Sequence, residues 1–127
     1  MESIFSRLEL ERMEVKRGEV WIVNLDPTLG HEIKKSRPAV IIQNDIGNKY
    51  SPITIIAPLT SQGLEKVYPI EVLLTPKDSG LELESKVLLN QIRAVDKVRL
   101  VKKIGEVNEE DLVRIDQALK ISLGLWF

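Results

Sequence analysis

The stretch from Glu19 to Leu59 reads EVWIVNLDPTLGHEIKKSRPAVIIQNDIGNKYSPITIIAPL, and its pattern decides the fold class. It contains three short runs rich in β-branched residues, which span residues 19–25, 38–43 and 53–59. Two groups of turn-forming residues separate these runs, Asp26-Pro27 and Gly47-Asn48. Short runs bounded in this way are typical of β-strands joined by loops, so the stretch predicts a mainly β domain.

The same pattern continues toward the C-terminus and then becomes helical. Further strands are predicted at residues 68–74 and 85–95, with turns at Gln62-Gly63 and at residues 76–80, and a sixth strand at residues 103–107. Asn108 precedes three acidic residues, which favour the positive end of a helix dipole, and Gly124 is a typical helix stop. Apolar residues recur between them at helical spacing, at Leu112, Ile115, Leu119 and Leu123. The expected fold is α+β, a small β-barrel covered on its open side by a C-terminal helix.

Length and composition indicate a single globular domain. The chain has 127 residues, 43% of them hydrophobic and 29% charged, which excludes a disordered tail and a coiled-coil or collagen-like rod. We expect residues 15–127 to form that domain and residues 1–14 to be an extension, with a weak amphipathic helix after Ser3. The apolar runs are too short for a membrane span and no apolar signal stretch opens the chain. We therefore expect a cytoplasmic protein that does not bind membranes.

The residue types exclude several common kinds of active site. The chain has no cysteine, so it holds no disulfide framework, thiolate zinc site or catalytic thiol. It also lacks a glycine-rich phosphate loop, a G-x-S-x-G elbow and a His-Glu-x-x-His motif. The densest acidic cluster, Glu109-Glu110-Asp111, is interpreted as a helix cap, and Glu82 and Glu84 as solvated. We therefore expect no metal site and no cofactor.

Charge is balanced over the whole chain but not along it. The formal net charge is −1, which argues against a non-specific nucleic-acid coat. Residues 86–103 nevertheless hold six basic residues and one acid, and residues 106–116 hold five acids and one arginine. Such blocks form either a basic surface for a polyanion or an ordinary solvated face, and charge alone leaves both alternatives open.

The loop between the first two predicted strands concentrates residues that suit anion binding. It runs from Asp26 to Pro38 and contains, after the Asp26-Pro27 turn, a glycine, an acid and three bases. Loops held by strands often carry function, and Arg37 at the strand edge offers a planar fork of donors to a phosphate. The alternative is a flexible surface loop that contains lysines.

Several motifs, taken in order, carry a resemblance to a known family. They are Val15-Lys16-Arg17-Gly18-Glu19-Val20-Trp21, Asp26-Pro27, Gly30-His31-Glu32, Arg37-Pro38-Ala39-Val40-Ile41-Ile42-Gln43-Asn44-Asp45, Pro58-Leu59-Thr60-Ser61 and Gln91-Ile92-Arg93. Each motif is loose alone, but their order and spacing are specific. Over residues 15–124 the chain resembles the MazF/PemK toxin family, and its Gln43-Asn44-Asp45-Ile46-Gly47-Asn48 is most similar to the Gram-positive branch.

The resemblance implies an SH3-like barrel with a C-terminal helix, as in MazF and CcdB toxins, and a homodimer. It implies a metal-independent, sequence-specific endoribonuclease that cleaves single-stranded mRNA through the RNA's own 2′-OH and is silenced by a small acidic antitoxin. By position, Arg37 and Thr60 match the family's catalytic arginine and threonine, and Glu32 matches an acid proposed as general base in some members. Contacts to RNA are expected from His31, Lys34, Lys35, Ser61, Gln91 and Arg93.

Two alternatives remain open. A non-catalytic toxin on the same fold, similar to the gyrase poisons, would act by binding a protein through the end of the C-terminal helix, where Trp126 and Phe127 lie. An RNA-binding module that has lost cleavage is the other, because the loop residues 31 and 33–35 depart from the family pattern. The joint occurrence of Glu32, Arg37 and Thr60 favours the nuclease.

Overall fold

The computed structural model describes residues 14–27, 30–31 and 35–126, apart from the side chain of Asp78. The predicted N-terminal helix therefore lies outside the described residues. The strands of the described part are β1 (Glu19–Asn24), β2 (Ser36–Ile41), β3 (Ile53–Thr60), β4 (Glu71–Leu74), β5 (Ser85–Leu88), β6 (Arg93–Asp96) and β7 (Leu100–Glu106). The helices are α1 (Asp45–Tyr50), α2 (Pro76–Ser79) and α3 (Glu109–Leu123), with a 3₁₀ turn at Lys97–Arg99. None of these helices is long and apolar enough to cross a membrane.

The strands form one antiparallel sheet in the order β4-β5-β3-β2-β1-β7, and β6 also pairs with β3. Strand β3 is central, because β2 pairs with one of its edges while β6 and β5 pair with successive parts of the other. The predicted fold class, mainly β with a C-terminal helix, is confirmed.

Alternation along the strands buries apolar side chains on both faces of the sheet. One cluster includes Val40 and Leu59 and is joined by Ile115 of α3. The other includes Ala39 and Ile41 of β2. Successive residues of a strand point to opposite faces, so Val40 joins one cluster and its two neighbours join the other.

Helix α3 begins and ends where the sequence predicts. The side chain of Asn108 accepts a 2.8 Å hydrogen bond from the backbone N–H of Asp111, and Gly124 ends the helix in the left-handed conformation with φ of 69°. The buried stripe differs from the prediction at its last turn. Leu123 is 52% exposed, and the hydroxyl of Ser122 donates to the carbonyl of Leu89 at 2.8 Å instead.

The strand predicted at residues 85–95 is interrupted. Val87 pairs with Leu59 and Arg93 pairs with Ile56, so six steps along this segment correspond to only three along β3. The extra residues leave the sheet as a turn between β5 and β6. This turn matters for the site described below, because it carries Gln91, which lines a cleft there.

Two predicted turns are instead short helices, and one strand is shorter than expected. The residues around Gly47-Asn48 form α1, whose cap Asn44 accepts a 2.8 Å hydrogen bond from the backbone N–H of Gly47. Residues 76–80 form α2 with Pro76 in its first turn. Strand β4 begins at Glu71 rather than at residue 68, because the preceding residues form a loop.

Two glycines let α2 lie directly against the backbone of β7. A Cβ atom added to Gly80 would lie 1.8 Å from the carbonyl oxygen of Ile104, and one added to Gly105 would lie 2.2 Å from that of Ser79. Neither position therefore has room for a side chain. The segment after α2, residues 80–85, is thereby held close to β7.

Candidate functional site

The registers of β1, β2 and β3 bring two of the predicted site residues together. The pairing of β2 with β3 ends with Ala39 opposite Pro58, and the same register continued to the strand ends sets Arg37 opposite Thr60. Residues directly opposite in an antiparallel pair have side chains on the same face, with Cβ atoms about 4.5–5.5 Å apart. Arg37 also pairs with Val23 on its other side. Both Arg37 and Thr60 are half-buried at the point where the sheet opens.

Two hydrogen bonds join the described ends of the loop between β1 and β2, and a third lies within its first end. The backbone N–H of Lys35 donates to a carboxylate oxygen of Asp26 at 2.9 Å, and the N–H of Leu25 donates to the carbonyl of Lys35 at 3.2 Å. The N–H of Asp26 donates to the side chain of Asn24 at 3.1 Å. Lys35 has a φ of 67°, a conformation that residues other than glycine rarely adopt. The side chain of Lys35 is exposed to solvent.

A first cleft of about 590 Å³ lies beside the base of this loop. It is lined by His31 from the loop, Pro58 from β3, and Gln91 and Arg93 around the turn between β5 and β6. The guanidinium of Arg93 donates to the carbonyl of Leu25 at 3.1 Å and so joins the two walls. The cleft therefore holds three of the residues that we expected to contact RNA.

A second cavity, of about 460 Å³, lies beside Arg37. Its floor is apolar and is formed by residues from β1, β3, β7 and the segment after α2, namely Ile22, Leu59, Leu81 and Ile104. Polar side chains lie around it, including Ser61, Glu82, Ser85 and Lys102 besides Arg37. The predicted site residues are thus divided between two cavities, with Arg37 and Ser61 at one and His31, Gln91 and Arg93 at the other.

Two of the predicted residues fall outside the described part of the chain. They are Glu32 and Lys34. The described part of the chain resumes at Lys35, whose backbone N–H donates to Asp26.

Most of the basic block at residues 86–103 is built into the fold. Lys86 and Lys97 are only 7% and 0% exposed, and both donate to backbone carbonyls. Arg99 donates to the carbonyl of Asn24 at 3.2 Å. The block is therefore neither one basic surface nor one solvated face, because its cations mainly satisfy carbonyls that the sheet leaves open.

The last two lysines of the block differ from each other. The ammonium of Lys103 lies 2.8 Å from a carboxylate oxygen of the buried Glu19. A hydrogen bond and charge attraction from Glu19 raise the pKa of Lys103. Lys102 is exposed at the second cavity.

Two residues of the second cavity were missed by sequence reasoning. Glu82 and Glu84 look alike in the sequence, but residues 82–84 form a bend rather than a strand, and only Glu82 lines the cavity. Lys102 was one of six basic residues in a block, and no local pattern distinguishes it from Lys103. Among the described residues, no group of three or more His, Cys, Asp or Glu side chains is placed to hold a metal ion.

Comparison with known sequences finds extended similarity. A family model described as PemK-like, MazF-like toxin of type II toxin–antitoxin system matches residues 16–123. The endoribonuclease EndoA of Bacillus subtilis strain 168 is 44% identical over 113 residues, which cover 89% of this chain and 97% of the relative. The endoribonuclease MazF of Staphylococcus epidermidis is 45% identical over 112 residues, which cover 87% of this chain and 92% of the relative.

Solved structures share the fold. The crystal structure of MazF from Deinococcus radiodurans matches with a TM-score of 0.75 and 27% identity, covering 87% of this chain and 97% of that one. An endoribonuclease from a mycobacterial species, solved in complex with its cognate antitoxin, matches with a TM-score of 0.75 and 24% identity over 90% of this chain and 99% of that one.

Proposed function

This chain belongs to the PemK-like, MazF-like toxin family of type II toxin–antitoxin systems, and we propose that it is an endoribonuclease that cleaves single-stranded mRNA at specific sequences without a metal ion. The observation that carries the proposal is the register of β2 against β3, in which Ala39 pairs with Pro58 and which, continued by two residues, sets Arg37 opposite Thr60. Neighbours of Thr60 along β3 line both openings, Pro58 the first cleft and Ser61 the second cavity, and RNA bound at Arg37 could extend toward either.

The chemistry needs few protein groups because RNA carries its own nucleophile. The 2′-oxygen attacks the adjacent phosphorus and the bond to the 5′-oxygen breaks, which leaves a cyclic phosphate and a 5′-hydroxyl. The protein must accept the 2′-proton, stabilise the charge on the phosphorane and protonate the leaving oxygen. Arg37 is suited to the second task, since its guanidinium is always charged and presents two donors in one plane.

Thr60 is suited to hold the same phosphate. Its hydroxyl oxygen accepts a hydrogen bond from the backbone N–H of Gln62 at 3.2 Å. That bond fixes the oxygen and leaves the hydroxyl proton to donate to a phosphate oxygen. We retain Glu32 as the candidate base for the 2′-proton.

RNA binding is assigned to the surfaces on both sides of this pair. In the first cleft, His31, Gln91 and Arg93 would contact the strand on one side of the cut. Ser61 would contact it on the other side. From the resemblance, Lys34 and Lys35 would contact phosphates from the loop. Sequence specificity then depends on the base edges that these side chains can reach.

We infer two protein partners from the family. One is a small acidic antitoxin, whose carboxylates would compete with RNA phosphates for the same basic groups. The other is a second copy of this chain, since the family's toxins are homodimers. The amount of RNA cleaved should therefore fall when the antitoxin is present in stoichiometric amounts.

The test is incubation of the purified protein with a long single-stranded RNA in excess EDTA, followed by mapping of the new ends. We expect cleavage at a short repeated sequence, with 5′-hydroxyl and cyclic-phosphate ends. Intact RNA after incubation with folded, antitoxin-free protein would contradict the proposal, and so would 5′-phosphate ends, because they require water rather than the 2′-OH as nucleophile.

One observation keeps the protein-binding alternative testable. Trp126 is 93% exposed, so it does not pack against the described part of the sheet. An exposed tryptophan is a common anchor in protein interfaces. If wild-type protein is toxic in cells without cutting RNA, and Trp126→Ala removes the toxicity, the protein-binding toxin replaces the nuclease.

A further inference from the structure

We propose that the second cavity is a nucleobase pocket for the nucleotide next to the cleaved phosphate, in which Glu82 reads the edge of the base and Lys102 holds the following phosphate. The inference rests on the proposed function, because it requires RNA at Arg37. It assigns a role to a cavity and to two charged residues that the cleavage chemistry leaves unused.

The cavity has the form of a pocket for a flat, largely apolar group. Its volume of about 460 Å³ falls in the usual range for small-ligand sites of about 300–1,000 Å³. Leu59 and Leu81 in its floor are buried, whereas Glu82 and Lys102 at its mouth are exposed. A base would bury its faces against the aliphatic floor and keep its polar edge at the mouth.

The position of Arg37 connects this pocket to the reacting phosphate. Arg37 and Ser61 both line the cavity, and Ser61 follows Thr60 directly. A phosphate held by Arg37 and Thr60 therefore carries its neighbouring nucleotide toward the cavity mouth. The first cleft lies on the side of Pro58 and Gln91, so it would receive the nucleotides on the opposite side of the cut.

The two charged residues at the mouth are available to a ligand. The side chains of Glu82 and Lys102 make no hydrogen bond or ion pair with another described residue. A carboxylate accepts hydrogen bonds from the amine of cytosine and, in the same way, from other bases that present an amine. Uracil presents a carbonyl oxygen at that position, which a carboxylate repels. The pocket is therefore expected to favour a base with an amine over uracil.

The wall that carries Glu82 is rigid enough to discriminate. The close contact between Gly80 and Ile104 fixes one end of residues 80–85 against β7. At the other end Ser85 pairs with Leu74, and its hydroxyl donates to the carbonyl of Leu83 at 3.0 Å. Glu82 thus lies in a short segment that is anchored at both ends, and such a rigid support is what base readout requires.

The first experiment compares cleavage-site preferences on a randomised RNA pool. The control for Glu82→Gln is Glu84→Gln. It removes the same charge two residues further along the chain, from a side chain that does not line the cavity. We expect Glu82→Gln to change the ratio of amine-bearing bases to uracil at one position next to the cut by about fivefold or more, because an amide also donates to a carbonyl. Glu84→Gln should keep the wild-type preference.

The second experiment measures occupancy without activity. The probe is an oligoribonucleotide with a single 2′-deoxy position at the mapped cut, which cannot react. We expect its addition to shift the methyl resonances of Leu81 and Ile104 in wild-type protein and in Glu84→Gln. Lys102→Met should weaken its binding equally for every base at the tested position, because a phosphate contact carries no sequence information.

The proposal is overturned if wild-type protein cleaves RNA while Glu82→Gln keeps every base preference. It is equally overturned if the probe shifts the methyl resonances of Ile92, which also lines the first cleft, but none in the second cavity. These results leave the nuclease intact. Failure of the proposed function is a different result, in which wild-type protein leaves every RNA uncut.

Discussion

The ammonium of Lys86 lies 3.0 Å from a carboxylate oxygen of Glu71, and each side chain keeps only 9% of its surface exposed. The same ammonium donates to the carbonyls of Gly63 and Lys66, at 2.9 and 3.1 Å. Lys86 also pairs with Thr60 across β5 and β3. One buried cation therefore ties the loop that follows Thr60 to the strand beside it.

Replacing this cation should destabilise the protein. Lys86→Met leaves the Glu71 carboxylate buried without its counter-charge, and breaking such a pair costs about 3–5 kcal/mol. We expect that decrease in the free energy of unfolding measured by urea denaturation, together with faster hydrogen exchange in residues 61–70. The double variant Lys86→Met/Glu71→Gln should recover much of the loss, because the amide oxygen still accepts from the N–H of Tyr68. A single variant as stable as wild type would show that the pair does not secure the loop.

The pair of Lys103 and Glu19 predicts a loss of stability at alkaline pH. Glu19 raises the pKa of Lys103 above the ordinary lysine value of about 10.4. The folded state binds this proton more tightly than the unfolded state, so the stabilisation is complete below about pH 10.4 and is lost as the pH rises through the folded pKa. Thermal denaturation from pH 9 upward should show the melting temperature falling.

The matched variants for that experiment are Lys103→Arg and Lys77→Arg. Arginine stays charged at these pH values, so Lys103→Arg should shift the loss of stability to higher pH. Lys77 is exposed on α2 and forms no ion pair with a described residue, so Lys77→Arg should follow the wild-type profile. Identical profiles for all three proteins would show that the Lys103 pair does not govern the alkaline transition.

The sequence predicts the sheet well because the strand signal is local. Residues 19–59 alternate and turn in a way that depends on near neighbours, and β1, β2 and β3 form there. The interruption of residues 85–95 depends instead on a distant partner. Only the register against β3 shows that Val87 and Arg93 must be drawn closer than a continuous strand allows.

Helix α1 escaped prediction because its stability comes from buried polar contacts. Asn48 is fully buried, donates to the carbonyl of Gln43 at 2.9 Å and accepts from the hydroxyl of Thr54 at 2.7 Å. In the sequence an asparagine after a glycine indicates a turn, and two of the partners that satisfy its side chain here, Gln43 and Thr54, lie outside the helix. The resemblance supplied Arg37 and Thr60 as site candidates, whereas Glu82 and Lys102 acquire their setting only when α2 packs against β7.

RNA binding should depend on salt to a predictable degree. If the path across Arg37 contacts about four phosphates, counterion release from a single strand predicts how binding weakens with salt. The logarithm of the association constant, plotted against the logarithm of the salt concentration, should have a slope near −3. The dissociation constant of the 2′-deoxy oligonucleotide, measured at several salt concentrations, supplies that slope. Lys102→Met should reduce its magnitude by about 0.7, the contribution of one phosphate, and Lys77→Met should not change it. A slope near zero for wild type would contradict the proposed path.

Arg37 allows the sharpest test of the proposed chemistry. Removing a preorganised donor from a developing negative charge costs other enzymes about 10²–10³ in rate, and we expect at least that loss for Arg37→Ala. Arg37→Lys keeps the charge but not the planar fork, so its rate should lie between those of Arg37→Ala and wild type. Lys77→Ala, which removes an exposed cation that lines neither cavity, should cleave at the wild-type rate.

These rates should be measured in single turnover, with enzyme in large excess over RNA. A loss that persists at saturating enzyme means that Arg37 stabilises the transition state beyond what it contributes to binding. A loss that disappears at saturation would make Arg37 a ground-state phosphate ligand, and the charge on the phosphorane would then need another donor. Matching melting temperatures for Arg37→Ala and wild type are required before either conclusion, because Arg37 is half-buried at the end of β2.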